Sequence, residues 1–193
     1  MGFRISAILS KADPDTLLAK LGMFKSGEVD EMPDSGHWCC YIYPNGWTLA
    51  YFDDFNFIET VQDRAIELSE VYPTFGMRVH ETVMTAQVSG YSNGEVKWGV
   101  DWIGEEGPEL ANLTTFGQVP ESFKQIRDKA LKAQEADTSV DYLFDVPLAM
   151  LELETGFRHD LWLERNDVDH FRIIEPAQSE SRSFLSWIFG DRS

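Results

Sequence analysis

Residues 38–52, Trp-Cys-Cys-Tyr-Ile-Tyr-Pro-Asn-Gly-Trp-Thr-Leu-Ala-Tyr-Phe, constrain this chain more than any other stretch. Both arms are aromatic and β-prone, and Pro44-Asn45-Gly46 lies between them. Asn-Gly accepts the left-handed backbone of a tight turn, so the spacing predicts a β-hairpin. A second turn signal, Asn93-Gly94, separates a predicted strand over residues 77–87 from another over 96–102. Residues 104–108 form a further turn, and 110–116 a further strand. Tight hairpins join antiparallel neighbours, so such a chain is directed towards an antiparallel sheet.

Helical patterns fill the spaces between these strands. Phe3, Ile5, Ala7 and Leu9 alternate with polar neighbours and predict a first strand. Asp13-Pro14-Asp15 then opens a helix, with Asp13 as cap, Pro14 in the first turn and Asp15 at the positive end. Leu17, Leu18 and Leu21 make its apolar stripe, and Gly22 ends it. Residues 25–36 are polar and rich in Gly, Pro and Asp, and read as a loop. Phe57, Ile58, Val61, Ala65 and Leu68 recur at helical spacing ahead of Pro73. Pro120 opens a helix carrying Phe123, Ile126, Ala130 and Leu131. Asp145-Val146-Pro147 repeats the capping device before Leu148, Met150 and Leu151, and Gly156 closes that helix. Residues 170–174 form a last strand.

Strand, helix, hairpin, helix, strand is the split βαβ order. The expected fold class is therefore α+β: a mainly antiparallel sheet, split βαβ-like in its first half, extended by the second hairpin and backed by helices. Residues 1–178 are expected to form a single domain. The segment 179–193 is an apolar tail whose Phe184, Leu185, Trp187, Ile188 and Phe189 need a surface, on this chain or on a second subunit in a homodimer.

Charge narrows the partners. Thirty-three acidic and 16 basic residues give a net charge of −17. Such a field repels phosphate backbones and anionic membranes and attracts basic proteins, so neither nucleic acid nor a membrane is expected as partner. The first residues lack the apolar run and small-residue cleavage site of a signal peptide, and no run of about 18 apolar residues occurs. The only cysteines, Cys39 and Cys40, are adjacent and close no loop. Reduced thiols and a cytoplasmic location follow as the expectation.

Catalytic patterns are sparse. In Glu154-Thr155-Gly156-Phe157-Arg158-His159-Asp160, an imidazole stands beside a carboxylate just past a helix end. Gly156 as a left-handed cap, with Arg158 and His159 at the negative helix end, accounts for the segment without catalysis. Asp160 would pair with Arg158 or hold His159 in one tautomer. His80-Glu81 lacks the second His of a zinc helix. His37-Trp38-Cys39-Cys40 has no Cys-x-x-Cys and no matching pair downstream, so no metal site is expected. A cysteine nucleophile with His37, His80 or His159 as distant base has no local pattern behind it. Asp53-Asp54 and Asp101 are carboxylates at strand ends; Asp54 reads as a cap for the helix beginning near Asn56, and Asp145 as a cap before Pro147. No Walker loop, dinucleotide fingerprint, nucleophile elbow or Ca²⁺ loop is present, and no cofactor is expected.

Rings crowd the two hairpins: Trp38, Tyr41, Tyr43, Trp47, Tyr51, Trp98 and Trp102. Cross-strand packing is their usual use. Alternation buries both faces only if both are covered, so some of Tyr41, Tyr43, Trp47 and Tyr51 are expected in an exposed patch. The expected binding surface is Tyr41, Tyr43, Trp47, Tyr51, Trp98 and Trp102 with Asp53 and Asp54. The expected function is a small acidic protein-binding module, of the kind of a bacterial immunity-type inhibitor of a basic protein. The rival expectation is a hydrolase or metal-assisted enzyme using His159 and Asp160 with Asp53, Asp54, His80 or Glu81.

Overall fold

A computed structural model describes residues 2–30, 38–43, 45–104, 110–161 and 171–177. Along the chain these form β1 (Arg4–Ser10), α1 (Pro14–Leu21), β2 (Met23–Asp30), β3 (Cys39–Ile42), β4 (Thr48–Phe52), α2 (Phe57–Leu68), β5 (Thr74–His80), β6 (Thr85–Ser92), β7 (Glu95–Ile103), β8 (Leu113–Gly117), α3 (Ser122–Ala136), α4 (Asp145–Thr155) and β9 (Phe171–Pro176). The strands make one nine-stranded sheet in the order β2-β9-β3-β4-β1-β5-β6-β7-β8. Every neighbouring pair is antiparallel. The fold is α+β, and its central strands β3-β4-β1-β5 lie in the split βαβ order.

Local chemistry sets the turns and caps. In the first hairpin Tyr43 N–H donates to Trp47 O at 2.7 Å, and Gly46, at φ 82°, donates to Tyr43 O at 2.8 Å. Asn93 and Gly94 both take positive φ between β6 and β7, as a tight right-twisting turn requires. Asp13 Oδ1 accepts from the amides of Asp15 (3.1 Å) and Thr16 (3.0 Å), and Gly22 ends α1 in the left-handed region.

Three local expectations are corrected. Part of the expected 25–36 loop is strand β2; residues 31–36 lie outside the described residues. A polar, Gly-containing segment is extended because β9, about 147 positions on, supplies its backbone partners, and a register shift between Lys25 and Val29 absorbs Gly27. The single strand expected over 77–87 is instead β5 and β6, reversed through a 3-10 turn at Glu81–Val83 and a left-handed Met84. Without Gly or Pro there, no turn signal marks the reversal. Asp145 does not cap α4: Phe144 holds the cap position, and Asp141 Oδ1 accepts from the amides of Leu143 and Phe144, each at 3.2 Å. Asp54 Oδ1 accepts from Asn56 N–H at 2.9 Å, one residue ahead of α2.

The period of two in the strands sorts side chains into two cores. Ile5, Ala7, Leu9, Met77, Val79, Val88, Val100 and Trp102 face α4, with Phe123 and Ile126 of α3 packed against them. Ile8, Ala50 and Phe52 face Leu17, Leu18 and Leu21 of α1 and Ile58, Val61 and Ala65 of α2. Each fully buried aliphatic or aromatic group contributes about 1.5–3 kcal/mol, so these two layers dominate stability. Cys39 falls in the first core and Cys40 in the second, as alternation predicts. Burial pushes the Cys40 thiol up to about 12, which makes it a poor nucleophile. Among the described residues no helix is long and apolar enough to cross a membrane. His37, His170 and the tail 179–193 lie outside the described residues.

Candidate functional site

Most of the rings singled out in the sequence do not form a surface. Tyr43, Trp47, Tyr51, Trp98 and Trp102 are buried, and Trp38 and Tyr41 are half-buried. Trp47 and Trp98 both pack on Phe75, with ring centroids 5.2 and 5.9 Å apart. Trp102 is fully buried, and its Nε1–H donates to Asp141 Oδ2 at 3.0 Å. Asp53 and Asp54 are half-buried. The expected aromatic patch is corrected for one reason: helices cover this part of the sheet on both sides, so both faces of the first hairpin are interior.

The segment 154–160 does stop a helix. Gly156, at φ 74°, donates to Glu152 O at 2.7 Å. Beyond it, Arg158 reaches Asp145 (2.8 Å) and Asp160 (2.7 Å), with Glu152 at 3.8 Å. His159 turns inward, 1% exposed, and its Nε2 meets Glu81 Oε1 at 3.1 Å. Asp160 stands 3.9 Å from the other ring nitrogen, which has no hydrogen-bond partner among the described residues. Thus the carboxylate partner of His159 is Glu81. The Phe3 ring meets the imidazole edge-on at 5.0 Å, and the Phe3 amide donates to Glu81 Oε2 at 2.9 Å. Burial lowers the imidazole pKa, outweighing the Glu81 hydrogen bond, so the neutral Nε2–H tautomer donates to Glu81.

His80 projects to the other side of β5, where its ring meets Phe55 at 5.6 Å. Val79 beside it lies in the core that also contains Phe3, the neighbour of His159. The sheet therefore separates the two histidines. With His159 sealed from solvent, the candidates His159, Asp160, His80 and Glu81 do not converge on a pocket. Among the described residues no three His, Cys, Asp or Glu side chains gather so as to hold a metal ion.

An open site lies elsewhere. α2 packs mainly on β5 and β1, reaches β6 and β7 only at its margin, and a cavity of about 220 Å³ opens along its edge towards β8. Glu59 and Gln62 of α2 form one wall, and Phe116 of β8 the other. Two glycines shape it. A Cβ at Gly76 would fall 2.5 Å from the Tyr91 hydroxyl, and one at Gly99 would fall 2.1 Å from the Phe116 ring. Phe116 consequently lies over the backbone at Gly99 while remaining 45% exposed.

The floor is polar and charged. Arg78 pairs with Glu59 at 2.6 Å, donates through Nε to Gln87, and places its guanidinium 4.9 Å over the Phe55 ring. Asp101, one strand further out, is half-buried and accepts no hydrogen bond among the described residues. Burial raises its pKa, and the charge of Arg78 offsets this only in part. Two carboxylates thus face one guanidinium, and one carboxylate lacks a donor. In sequence Asp101 is legible as a carboxylate at a strand end, whereas Glu59, Arg78 and Phe116 lie on separate elements and no spacing groups them. The available signal was weak: Gly99 faces Phe116 across the β7–β8 ladder.

A second, apolar crevice of about 300 Å³ lies between α3 and α4, lined by Ile126, Ala130, Ala133, Val146 and Ala149. Lys129, Asp145 and Arg158 also line it, and Arg158 is already held by Asp145 and Asp160. Compared with protein-family models, curated proteins and solved structures, the chain matches none.

Proposed function

We propose that this chain is an acidic protein-binding module that seats a cationic side chain of a basic partner in the trough beside α2. The observation that carries the reading is Asp101, a half-buried carboxylate in an open cavity with no hydrogen-bond donor among the described residues. An ionised acceptor with an unmet hydrogen bond is where an incoming cation gains most. Phe116 supplies a ring face for the same cation, as Phe55 already does for Arg78. The volume supports a side chain as occupant: about 220 Å³ is below the roughly 300–1,000 Å³ of sites that enclose drug-sized ligands. A net charge of −17 would speed encounter with a basic partner. Occlusion of a cationic enzyme by an immunity-type inhibitor is the biological form this reading takes.

The test is a titration of isotope-labelled protein with a short arginine-rich peptide at low and moderate salt, followed by amide shifts. Shifts should centre on Ser89, Asp101 and Phe116 and weaken as salt rises. Asp101→Asn should lower affinity roughly tenfold, the scale of one hydrogen bond to a charged group. Shifts spread over the whole acidic surface, or unaffected by Asp101→Asn, would sink the reading.

A further inference from the structure

The two ends of the sheet are built differently. At one end β2 carries Lys25 and Glu28, a Gly27 at φ 93° and a register shift between Lys25 and Val29. Charges and bulges of this kind blunt an edge against further pairing. At the other end β8 reads Leu-Thr-Thr-Phe-Gly, with neither a charge nor a proline. It pairs with β7 in unbroken register from Leu113 to Gly117, and Thr114, Thr115, Phe116 and Gly117 are exposed. No described strand pairs with its outer side. An edge of that kind offers a row of backbone donors and acceptors as a template for another strand.

We infer that β8 accepts an extended segment of the basic partner by strand addition; this rests on the function proposed above. Charge selects the occupant. A second copy would bring two surfaces of net charge −17 together, whereas a basic segment is attracted. Geometry then selects its pattern. Side chains of an added strand alternate between the two sheet faces. One set lies beside Thr114 and Phe116, over the trough that holds Asp101 and Glu59. The other set lies on the opposite face, where α4 packs on the sheet and α3 packs on α4; α3 carries Lys124, Arg127, Lys129 and Lys132 against only Asp128 and Glu135. The recognised chemistry is an extended segment with Arg or Lys at every second position and uncharged residues between.

The experiment uses the full chain and three capped octapeptides: alternating Arg-Thr, and the same peptide N-methylated either at every Thr or at every Arg. Backbone N–H groups on one edge of a strand come from alternate residues, so each methylated peptide keeps its charge but loses the donors of one edge. The unmodified peptide should bind, one methylated analogue should bind at least tenfold more weakly, and the other should retain its affinity. Equal affinity of all three, or equal loss in both analogues, overturns strand addition while leaving a basic partner standing. No binding by the unmodified peptide, at low salt, overturns the function proposed above as well. Intermolecular β8–β8 contacts in the free protein, read by isotope-filtered NMR, would assign the edge to a second copy and overturn the inference.

Discussion

His159 Nε2 lies 3.1 Å from Glu81 Oε1, across 78 positions of sequence. Because Glu81 Oε2 also accepts the Phe3 amide at 2.9 Å, this one carboxylate ties the exit of α4 to the start of the chain. The pair is structural: a side chain 1% exposed meets no substrate.

Its pH dependence has a definite sign. Burial lowers the His159 pKa in the folded state, while the unfolded side chain titrates near ~6.5. The unfolded state therefore takes up the proton first, so the stability contribution is complete above about pH 6.5 and is lost as pH falls towards the lowered value. Glu81, Asp160 and Arg158 are the charged groups facing the ring. Urea denaturation at pH 7.5 and 5.5 should show the native protein losing more stability than His159→Gln over that interval. Equal slopes would refute the assignment.

Gly156 should resist substitution. At φ 74° any L side chain is strained, and an added Cβ would sit 3.3 Å from Asn45 Nδ2, which donates to Thr155 O at 2.8 Å. Gly156→Ala is expected to cost about 1–2 kcal/mol, the left-handed penalty for a non-glycine residue. Chemical denaturation of the two proteins at neutral pH measures it.

Arg158→Met should be among the more damaging single changes. The guanidinium is 18% exposed and neutralises Asp145 and Asp160 directly. Its loss is expected to cost about 1–2 kcal/mol at pH 7, less than for a fully buried pair, because Asp145 and Asp160 are each more than a third exposed. Burial alone would raise the Asp160 carboxyl, but Arg158 holds it below the usual carboxylate range. That contribution is present above the unfolded pKa of ~3.9 and is lost as pH falls through the folded value. The gap between native protein and variant should therefore narrow below about pH 4. Thermal unfolding scans across pH 3–7 read the difference.

Phe116 should separate binding from folding. Nearly half its surface is exposed, so Phe116→Ala is expected to change stability by no more than about 0.5–1 kcal/mol. Affinity for the arginine-rich peptide should nevertheless fall several-fold, through loss of the ring face. Paired calorimetric titration and urea denaturation distinguish the two effects.

Much of the fold was legible because its signals are local. Asn45-Gly46 and Asn93-Gly94 mark hairpins, and Asp13-Pro14 and Gly22 bound α1, through backbone preferences carried by a few neighbouring residues. The site was far less legible. Asp101 was visible as a carboxylate near a strand end, but nothing nearby in sequence says that it lacks a donor. Glu59, Arg78, Gln87 and Phe116 come from a helix and three strands, and no spacing rule joins them.

The amino-acid sequence by itself determined the antiparallel sheet, its hairpins, the helix faces and the net negative field, since these depend on turn preference, residue period and a sum of charges. Tertiary structure alone decided that β2 is a strand, that the hairpin rings are interior, that His159 meets Glu81, and that α2 stops short of β8. Each of those depends on partners brought from far along the chain, and on which strand lies beneath which helix.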